Sequence, residues 1–499
     1  MRLFWVCFTF MSCLSVSCWA AKVSDVADNT AKYAVDTYHQ QVIDALAKMV
    51  SYQTFAVDGL SMEKNPHFTG FKQYIRQLSG SLGLNYEDHG YVMIITLGES
   101  TERFGIMTHG DVQPADASKW RKSPFELDSE SEPGLLVARG TEDDKGPIAT
   151  ALYAMKAIKD KGIKLNKKIE LMIYMAEESD WEHFRTFLKT YEVPPINVTI
   201  DAEYPVVTAE KGWSNIKLDM PTTKYLDDKK TAYIGDFASG SFGSQIPEDA
   251  KVVINNASKV LMNRLKTQAL KHPLLTFSFV LKQKTLTITA KGKSAHSSAP
   301  EDGLNAIAFL ADILATEKWP KNTASLTVAF LNELVGTGLY AEKFGDIAYG
   351  HSFMGKMSLA PTVIKASDKG INININLRRP AGKAEALLKT QSQAAMDGWA
   401  QKHGVTLVVS QLYFGDPLVV TGAPHVQPLL NIFSHFTGVA NPKAVSGAGS
   451  TNAKLLPNAL SFGPSMPGHA YTGHSEHEFI TVEQLKLNLA MYTAMMIEL

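Results

Sequence analysis

The sequence predicts an α/β fold in which a domain with a mixed sheet, flanked by helices, is interrupted by an inserted α+β domain. Short continuous apolar runs at 104–108 and 169–176 are typical of buried strands in such a sheet. The run at 371–377 instead alternates between apolar and Asn residues, as in an antiparallel sheet with one buried face. A chain of 499 residues is also too long for one hydrophobic core, so at least two domains are expected.

The other elements of the α/β domain follow from local patterns. Apolar side chains recur at helical spacing over 38–49 and predict a helix near the N terminus. Pro147 suits the first position of a second helix, between the two apolar runs. A last strand is predicted near 459–462, just before a Gly-Pro pair.

The pattern changes from about Trp213, where strands such as 286–290 and 371–377 replace the buried apolar runs. The predicted boundaries are 21–213 for the first part of the α/β domain, 214–382 for the inserted α+β domain and 383–499 for the second part.

Composition and charge narrow the class of protein. Hydrophobic residues make up 45% of the chain and charged residues 20%, as in ordinary globular proteins. The formal net charge is -1, from 49 Lys+Arg and 50 Asp+Glu. Binding to nucleic acid or to an anionic membrane surface calls for a basic patch, and the sequence contains no basic run. No nucleic-acid partner is therefore expected.

The first twenty residues have the layout of a secretory signal peptide. Arg2 gives a positive start, residues 3–16 are largely apolar, and small residues precede a cut between Ala20 and Ala21. The apolar stretch is too short to span a bilayer comfortably, so no membrane span is expected in the mature chain. A buried N-terminal helix is the alternative. The layout predicts an exported protein, periplasmic or secreted.

All three cysteines, Cys7, Cys13 and Cys18, lie in this segment. The mature chain would hold no thiol, which avoids mispairing in an oxidising compartment and fits export. A lipoprotein cut before Cys18 is the minor alternative, because Ser15 stands where an aliphatic residue is usual.

Histidine and acidic residues follow the predicted strands of the α/β domain. His109 and Asp111 come after the first run, Glu177 and Glu178 after the second, and Asp201 after a third short run. Ligands bind beyond the carboxyl ends of such strands, so these side chains are expected to lie together. Taken singly, His109 also fits an ordinary loop histidine, and the glutamate pair fits a surface turn.

Three further carboxylates, Glu142, Asp143 and Asp144, stand in the turn before the second helix. Helix capping by Asp144 is the simple alternative, but capping needs only one of them. Adjacent carboxylates repel each other unless a cation or a proton neutralises them. Zinc binds His nitrogen and carboxylate oxygen, and two zincs about 3.5–4 Å apart can share one carboxylate. The pattern therefore favours a two-metal centre with one more carboxylate as base.

Further motifs extend along the chain to its C-terminal end. The full set comprises 108–114, 139–147, 177–181, 201–205, 292–296 with Pro300, 377–380, and His474 with Glu478. In this order the motifs resemble the zinc dipeptidases of the PepV and carnosinase family, relatives of aminoacylase, succinyl-diaminopimelate desuccinylase and carboxypeptidase G. The segments around Asp143, Glu178 and Asp201 are most similar to PepV-type bacterial dipeptidases. The resemblance implies a two-zinc aminopeptidase-like catalytic domain with an inserted α+β lid domain.

The resemblance also implies a set of metal ligands. Asp143 would bridge two Zn²⁺ ions, with Mn²⁺ or Co²⁺ as possible substitutes. His109 and Asp201 would hold one ion, and Glu178 and His474 the other.

Roles in catalysis and substrate binding are implied in the same way. Glu177 would be the general base that takes a proton from the bridging water, and Asp111 would orient the His109 ring. His296, on the lid, would donate a hydrogen bond to the oxyanion. Arg378 would bind the terminal carboxylate of the substrate.

The C-terminal segment departs from the family pattern. It offers His469, His474 and His477, and His474 is preferred because Glu478 follows it at the family spacing. Glu476 and His477 stand where the family has Pro and Asn or Asp.

Two more features bear on the site. The loop at 447–454 has Asn452 and Lys454 where relatives often have Tyr and Arg, which leaves substrate selectivity open. The resemblance implies a cis peptide bond between Asp143 and Asp144.

The function that the resemblance implies is that of an exported metallopeptidase, a hydrolase that cuts the amide bond of dipeptides or other short peptides, with dipeptides favoured. An N-acyl-amino-acid deacylase on the same metal site is the alternative, because the sequence does not show whether the pocket accepts a free amine or an acyl group. A catalytically inactive periplasmic binding protein is disfavoured, since Glu177 and all the ligands are present. The inserted domain is closer in length to the PepV lid than to a simple dimerising domain, so a monomer is favoured over a homodimer.

Overall fold

The computed structural model describes residues 23–499. The predicted signal peptide and the three cysteines lie outside these described residues. The α-helices of the described part are α1 (Asp25–Val50), α2 (Pro66–Ser81), α3 (Lys145–Asp160), α4 (Glu182–Phe187), α5 (Lys259–Ala269), α6 (Ala306–Leu314), α7 (Thr323–Phe330), α8 (Glu385–His403), α9 (Val426–Thr437) and α10 (Val482–Glu498). Among residues 23–499, no helix is both long enough and apolar enough to cross a bilayer.

The strands divide between two units. The first part of the first unit contains β1 (Asn85–Asp88), β2 (Val92–Leu97), β3 (Arg103–His109), β4 (Leu135–Val137), β5 (Lys168–Tyr174), β6 (Asn197–Thr199), β7 (Ala202–Glu203) and β8 (Val207–Glu210). The second unit contains β9 (Gly212–Pro221), β10 (Tyr233–Ser239), β11 (Gln245–Ile246), β12 (Asp249–Asn255), β13 (Thr276–Lys282), β14 (Thr285–Lys291), β15 (Ala295–His296), β16 (Gly350–His351), β17 (Gly355–Lys356), β18 (Ser358–Ser367), β19 (Gly370–Arg379) and β20 (Val408–Phe414). The chain then returns to the first unit through β21 (Leu418–Val419), β22 (Val445–Gly447), β23 (Ala459–Ser461), β24 (Pro464–Ser465) and β25 (Phe479–Thr481).

The main sheet of the first unit is mixed, in the order β1-β2-β5-β3-β6-β23-β8-β21, with β22 beside β8. Strand β3 runs parallel to both β5 and β6, so the carboxyl ends of these three strands meet at one edge of the sheet. The apolar runs of β3 and β5 are buried almost throughout, because helices cover both faces of the sheet.

The sheet of the second unit is antiparallel, in the order β13-β14-β12-β10-β18-β19-β9-β20. The alternating run predicted at 371–377 is the middle of β19, and its apolar side chains are buried against the helices of this unit. The predicted α/β fold with an α+β second unit is confirmed.

The second unit ends later in the chain than the predicted boundary at 382. Leu388, Met396 and Trp399 of α8 and Phe414 of β20 belong to its core. Helix α8 buries a narrow stripe of side chains that could pack against either core. Strand β20 is short, and its sequence does not show which of the two sheets it joins. The sequence pattern therefore does not show where the chain crosses back, and the structure places that crossing after Phe414.

Candidate metal centre

The carboxyl ends of the parallel strands bring histidine and acidic residues together, as the strand pattern predicts. His109 is the last residue of β3, Glu177 and Glu178 follow β5, and Asp201 follows β6. The Nε2 atom of His109 lies 3.7 Å from Oδ1 of Asp201.

Asp143 lies between the two histidines. Its Oδ1 is 2.8 Å from Nε2 of His109, and its Oδ2 is 3.1 Å from Nε2 of His474. Nε2 of His474 is also 2.6 Å from Oε1 of Glu178. Two groups of three ligand atoms result, one with Asp201 and one with Glu178, and both contain Asp143. The atoms of each group lie within 4.8 Å of one another.

The hydrogen bonds of both imidazole rings favour a cation between these atoms. Nδ1 of His109 is 3.0 Å from the carbonyl oxygen of Asp111, and Nδ1 of His474 is 3.4 Å from that of Ser244. A ring that donates from Nδ1 keeps a lone pair on Nε2, and here that lone pair faces carboxylate oxygens. A nitrogen lone pair and a carboxylate oxygen 2.6–3.1 Å apart repel each other unless a proton or a metal ion lies between them. The donor set of His nitrogen and carboxylate oxygen fits zinc.

The position of Asp143 is fixed by a carboxylate from the C-terminal segment. Oε1 of Glu478 accepts the backbone N–H groups of Gly140, Glu142 and Asp143 at 3.0, 3.0 and 3.1 Å. Its Oε2 lies 2.8 Å from Nη1 of the buried Arg139. The peptide bond from Asp143 to Asp144 is cis, as the resemblance implies.

The two neighbours of Asp143 are buried and have other partners. Asp144 makes no capping hydrogen bond at the start of α3, which sets aside the alternative of a simple helix cap. Its carboxylate accepts instead from the hydroxyl of Thr108. Glu142 accepts from Ser465 and from the backbone and hydroxyl of Thr472, and burial raises the pKa of Glu142 to about 7.

Asp111 and Glu177 lie next to the ligand groups. The Asp111 carboxylate accepts the backbone N–H groups of Glu177 and Glu178, both at 3.0 Å, and lies 3.5 Å from Nδ1 of His109. The His109 ring is thus closer to the carbonyl oxygen of Asp111 than to its carboxylate, which the sequence could not distinguish. Burial raises the pKa of Glu177 well above its usual value, and the charge of Asp201 acts in the same direction, while His109 opposes it.

Of the three C-terminal histidines, His474 is the one that lies beside Glu178 and Asp143. Burial opposes protonation, but these two carboxylates raise the pKa of His474 to about 10. The exposed His477 pairs instead with Glu132, at 2.7 Å. His469 lines a cleft of about 910 Å³ between the two units.

The second unit places His296 against the ligand groups of the same chain. His296 lies on β15, which pairs with β11, and its ring centroid is 4.5 Å from that of His474. Gln245 of β11 donates from Nε2 to the carbonyl oxygen of His474, at 2.8 Å. Burial lowers the pKa of His296 well below its usual value, and the charges of His474 and Arg378 add to this effect.

Arg378 is buried near the end of β19. It donates from Nη2 to the hydroxyl of Ser297 at 2.9 Å and from Nε to Asn376 at 3.2 Å. Burial lowers the pKa of Arg378 to about 10, while the carboxylates of Glu177 and Glu178 oppose this shift. The guanidinium therefore lies within the electrostatic reach of the acidic pair.

The glycine-rich loop at 447–454 contacts the junction of the two units. Lys454 donates from Nζ to the carbonyl oxygens of Lys211 and Asp416 at 2.8 and 3.0 Å, and burial lowers the pKa of Lys454 to about 8. Asn452 is buried, and its Nδ2 has no hydrogen-bond partner among the described residues.

Sequence reasoning missed several residues of this region. Glu478 entered it only as a marker of spacing, and Gln245 and Tyr471 not at all. Tyr471 donates from its hydroxyl to Oδ2 of Asp143 at 2.5 Å. A tyrosine in a loop carries no pattern that would indicate this contact.

Two His-and-carboxylate groups around a shared aspartate, at the edge where the parallel strands of an α/β sheet end, are typical of a metal-dependent hydrolase. The sequence matches the model of peptidase family M20/M25/M40 over residues 105–498, and the chain belongs to this family. It is therefore a hydrolase and a metallopeptidase, and the resemblance drawn from the motifs is confirmed.

Individual relatives agree with this assignment. The chain is 29% identical over 412 residues to a Beta-Ala-Xaa dipeptidase of Lactobacillus delbrueckii subsp. lactis, covering 82% of this chain and 84% of that protein. It is 28% identical over 464 residues to a putative dipeptidase of Staphylococcus haemolyticus, covering 91% and 96%.

Two solved structures share the fold. Human carnosine dipeptidase 1 matches with a TM-score of 0.60 at 13% identity, covering 95% of this chain and 99% of that chain. The di-peptidase Dug1p of Saccharomyces cerevisiae matches with a TM-score of 0.58 at 14% identity, covering 94% and 98%.

Proposed function

We propose that this chain is an exported dipeptidase that works with two zinc ions. The observation that carries the proposal is the Asp143 carboxylate shared by two ligand groups, beside the carboxylate of Glu177, which makes no hydrogen bond within residues 23–499. The similarity to the Beta-Ala-Xaa dipeptidase of Lactobacillus delbrueckii and to the putative dipeptidase of Staphylococcus haemolyticus supports dipeptides as the substrates of this chain. Export rests on the signal-peptide layout of the first twenty residues.

Five residues would hold the two ions. His109 and Asp201 would bind one, Glu178 and His474 the other, and Asp143 both. Zinc at these positions would supply water of lowered pKa and would polarise the amide carbonyl, and Mn²⁺ or Co²⁺ could replace it.

Glu177 is the base of the proposed reaction. Its side chain makes no hydrogen bond to another described residue, and its backbone N–H is held by Asp111. Glu177 takes a proton from water as the oxygen adds to the amide carbon, and delivers it to the amide nitrogen as the C–N bond breaks. A carboxyl pKa above its usual value makes Glu177 a stronger base towards the proton of the attacking water.

His296 and Arg378 bind the substrate from the second unit. His296, beside His474, can donate a hydrogen bond to the carbonyl oxygen as negative charge develops there. Arg378 is buried and offers a guanidinium that can pair with a carboxylate through two hydrogen bonds. A dipeptide carries such a carboxylate one residue beyond the amide bond that is cut.

One chain supplies all these groups, because His296 reaches the ligand groups of its own chain. This supports a monomer as the working form rather than a homodimer.

The test combines metal analysis with a substrate panel. Metal-stripped protein receives zinc in steps, and hydrolysis of β-Ala and α-amino dipeptides is compared with that of N-acetyl amino acids. We expect activity to saturate at two zinc ions per chain and to favour dipeptides. Saturation at one ion would overturn the two-zinc centre, and preference for N-acetyl amino acids would establish a deacylase. Glu177→Gln serves as the inactive control.

A further inference from the structure

Tyr471 lies between the ligand groups and the lid histidine. Its hydroxyl donates to Oδ2 of Asp143 at 2.5 Å, the oxygen that also lies 3.1 Å from Nε2 of His474. Its ring meets that of His296 edge to face, with 5.5 Å between centroids. One side chain thus contacts both the shared carboxylate and the group proposed to bind the oxyanion.

The backbone around Tyr471 is anchored to the Asp143 turn. The next residue, Thr472, donates from its backbone N–H and its hydroxyl to Oε2 of Glu142, at 2.7 and 2.6 Å. Residues 471–472 therefore contact residues 142–143 through three hydrogen bonds. The geometry of these bonds leaves the Tyr471 hydroxyl little freedom relative to Asp143.

Gly473 provides the space that the Tyr471 ring occupies. A Cβ atom at position 473 would lie 2.3 Å from both Cζ and the hydroxyl oxygen of Tyr471, far inside van der Waals contact. The backbone of Gly473 does not have a positive φ, so this contact is the main obstacle to a side chain there. The placement of Tyr471 over Asp143 thus depends on the glycine two residues later.

We propose that Tyr471 is a positioning residue of the metal centre: its hydroxyl orients the Asp143 carboxylate for both ligand groups, and its ring supports His296. This inference rests on the proposed function. Asp143 belongs to both ligand groups, so each of its two carboxylate oxygens must point towards one group. A hydrogen bond to one oxygen restricts rotation of the carboxylate about its bond to Cβ. Groups that orient metal ligands in this way typically contribute a factor of about 10–100 to metal affinity.

The test measures zinc affinity and the geometry of the site separately from turnover. In Tyr471→Phe the ring is kept and the hydroxyl alone is lost. The dissociation constant for zinc is measured by competition with a chromogenic chelator on metal-stripped protein, and the visible spectrum is recorded after loading with Co²⁺. We expect zinc to bind about 10–100-fold more weakly and the cobalt spectrum to change. Tyr191→Phe is the matched control, because that hydroxyl also donates to a carboxylate, Glu170, outside the centre.

Gly473→Ala gives an independent arm. Displacement of the ring should reproduce the loss of zinc affinity, and the same substitution should have little further effect in a Tyr471→Ala background, where the ring is absent. Wild-type zinc affinity and cobalt spectrum in Tyr471→Phe would overturn the positioning role, whatever the substrate. If wild-type protein loaded with zinc cleaves no dipeptide, the proposed function fails, while the comparison of zinc affinities still decides the role of Tyr471.

Discussion

The carboxylate of Asp111 accepts the backbone N–H of Glu177 at 3.0 Å. Its other oxygen accepts the N–H of Glu178 at the same distance, so one buried side chain holds the proposed base and its neighbouring ligand in fixed relation. The two glutamates therefore have different surroundings. The side chain of Glu178 contacts His474, whereas that of Glu177 has no hydrogen-bond partner among the described residues.

Substitution of the two glutamates should therefore have different effects. Glu177→Ala is expected to lower kcat by a factor on the order of 10² or more with metal content unchanged, because only the proton carrier is lost. Glu178→Ala is expected to lose metal. Elemental analysis of both variants, together with kcat, checks the assignment, and an active Glu177→Ala enzyme would contradict it.

His296→Ala is expected to lower kcat by about two to three orders of magnitude, the usual loss for one oxyanion donor. Zinc content should stay normal, since His296 belongs to neither ligand group. The measurement is kcat at saturating dipeptide, with elemental analysis as the control. A normal kcat would show that His296 of the second unit does not stabilise the oxyanion.

Arg378→Ala should mainly raise KM for substrates that carry a free carboxylate. For the corresponding dipeptide amide the change should be much smaller, because no carboxylate is present to pair with the guanidinium. Steady-state kinetics on a dipeptide and its amide make the comparison. Equal effects on both substrates would rule out carboxylate binding by Arg378.

Glu478→Ala tests the support of the Asp143 turn. The substitution leaves the buried Arg139 without its carboxylate and three backbone N–H groups without their acceptor. We expect the free energy of unfolding in urea to fall by about 3–5 kcal/mol. Glu317→Ala removes the partner of Arg264 in a pair at the surface and should lower the free energy of unfolding much less. Similar losses in the two variants would contradict the structural role of Glu478.

His425 predicts a pH dependence of stability that is separate from the metal centre. Burial lowers the pKa of His425 to about 4, although its contact with the carbonyl oxygen of Asn197 opposes the shift. The unfolded chain takes up this proton near pH 6.5 and the folded chain does not, so stability should fall as pH decreases from about 6.5 to about 4. The loss is at most about 3 kcal/mol.

Urea titrations at pH 7 and pH 5 on wild type and His425→Gln make the measurement. Part of the pH dependence should disappear in the variant. A variant with the full wild-type slope would contradict the assignment to His425.

The sequence predicted what depends on local pattern. His109, Glu177, Glu178 and Asp201 each end an apolar run, and parallel strand ends necessarily meet at one edge. Contacts between distant loops leave no such pattern. Glu478 acts through backbone N–H groups more than 300 residues earlier, which any residue type except proline could supply. The contact of Tyr471 with Asp143 likewise depends on how the C-terminal loop folds back.

The C-terminal end of the second unit escaped prediction for a related reason. Helix α8 buries only four side chains and strand β20 only one, so tertiary packing decides which of the two adjacent cores they join.

The acceptor for the Asp143 turn comes from Glu478, in the C-terminal loop that precedes β25. Without that loop, the backbone N–H groups of Gly140, Glu142 and Asp143 would lack this acceptor. His474 arrives in the same loop, so the second ligand group is completed together with the support for the first. A change in this one loop would therefore affect both ligand groups at once, through the ligand His474 in one and through the support of the shared Asp143 in the other.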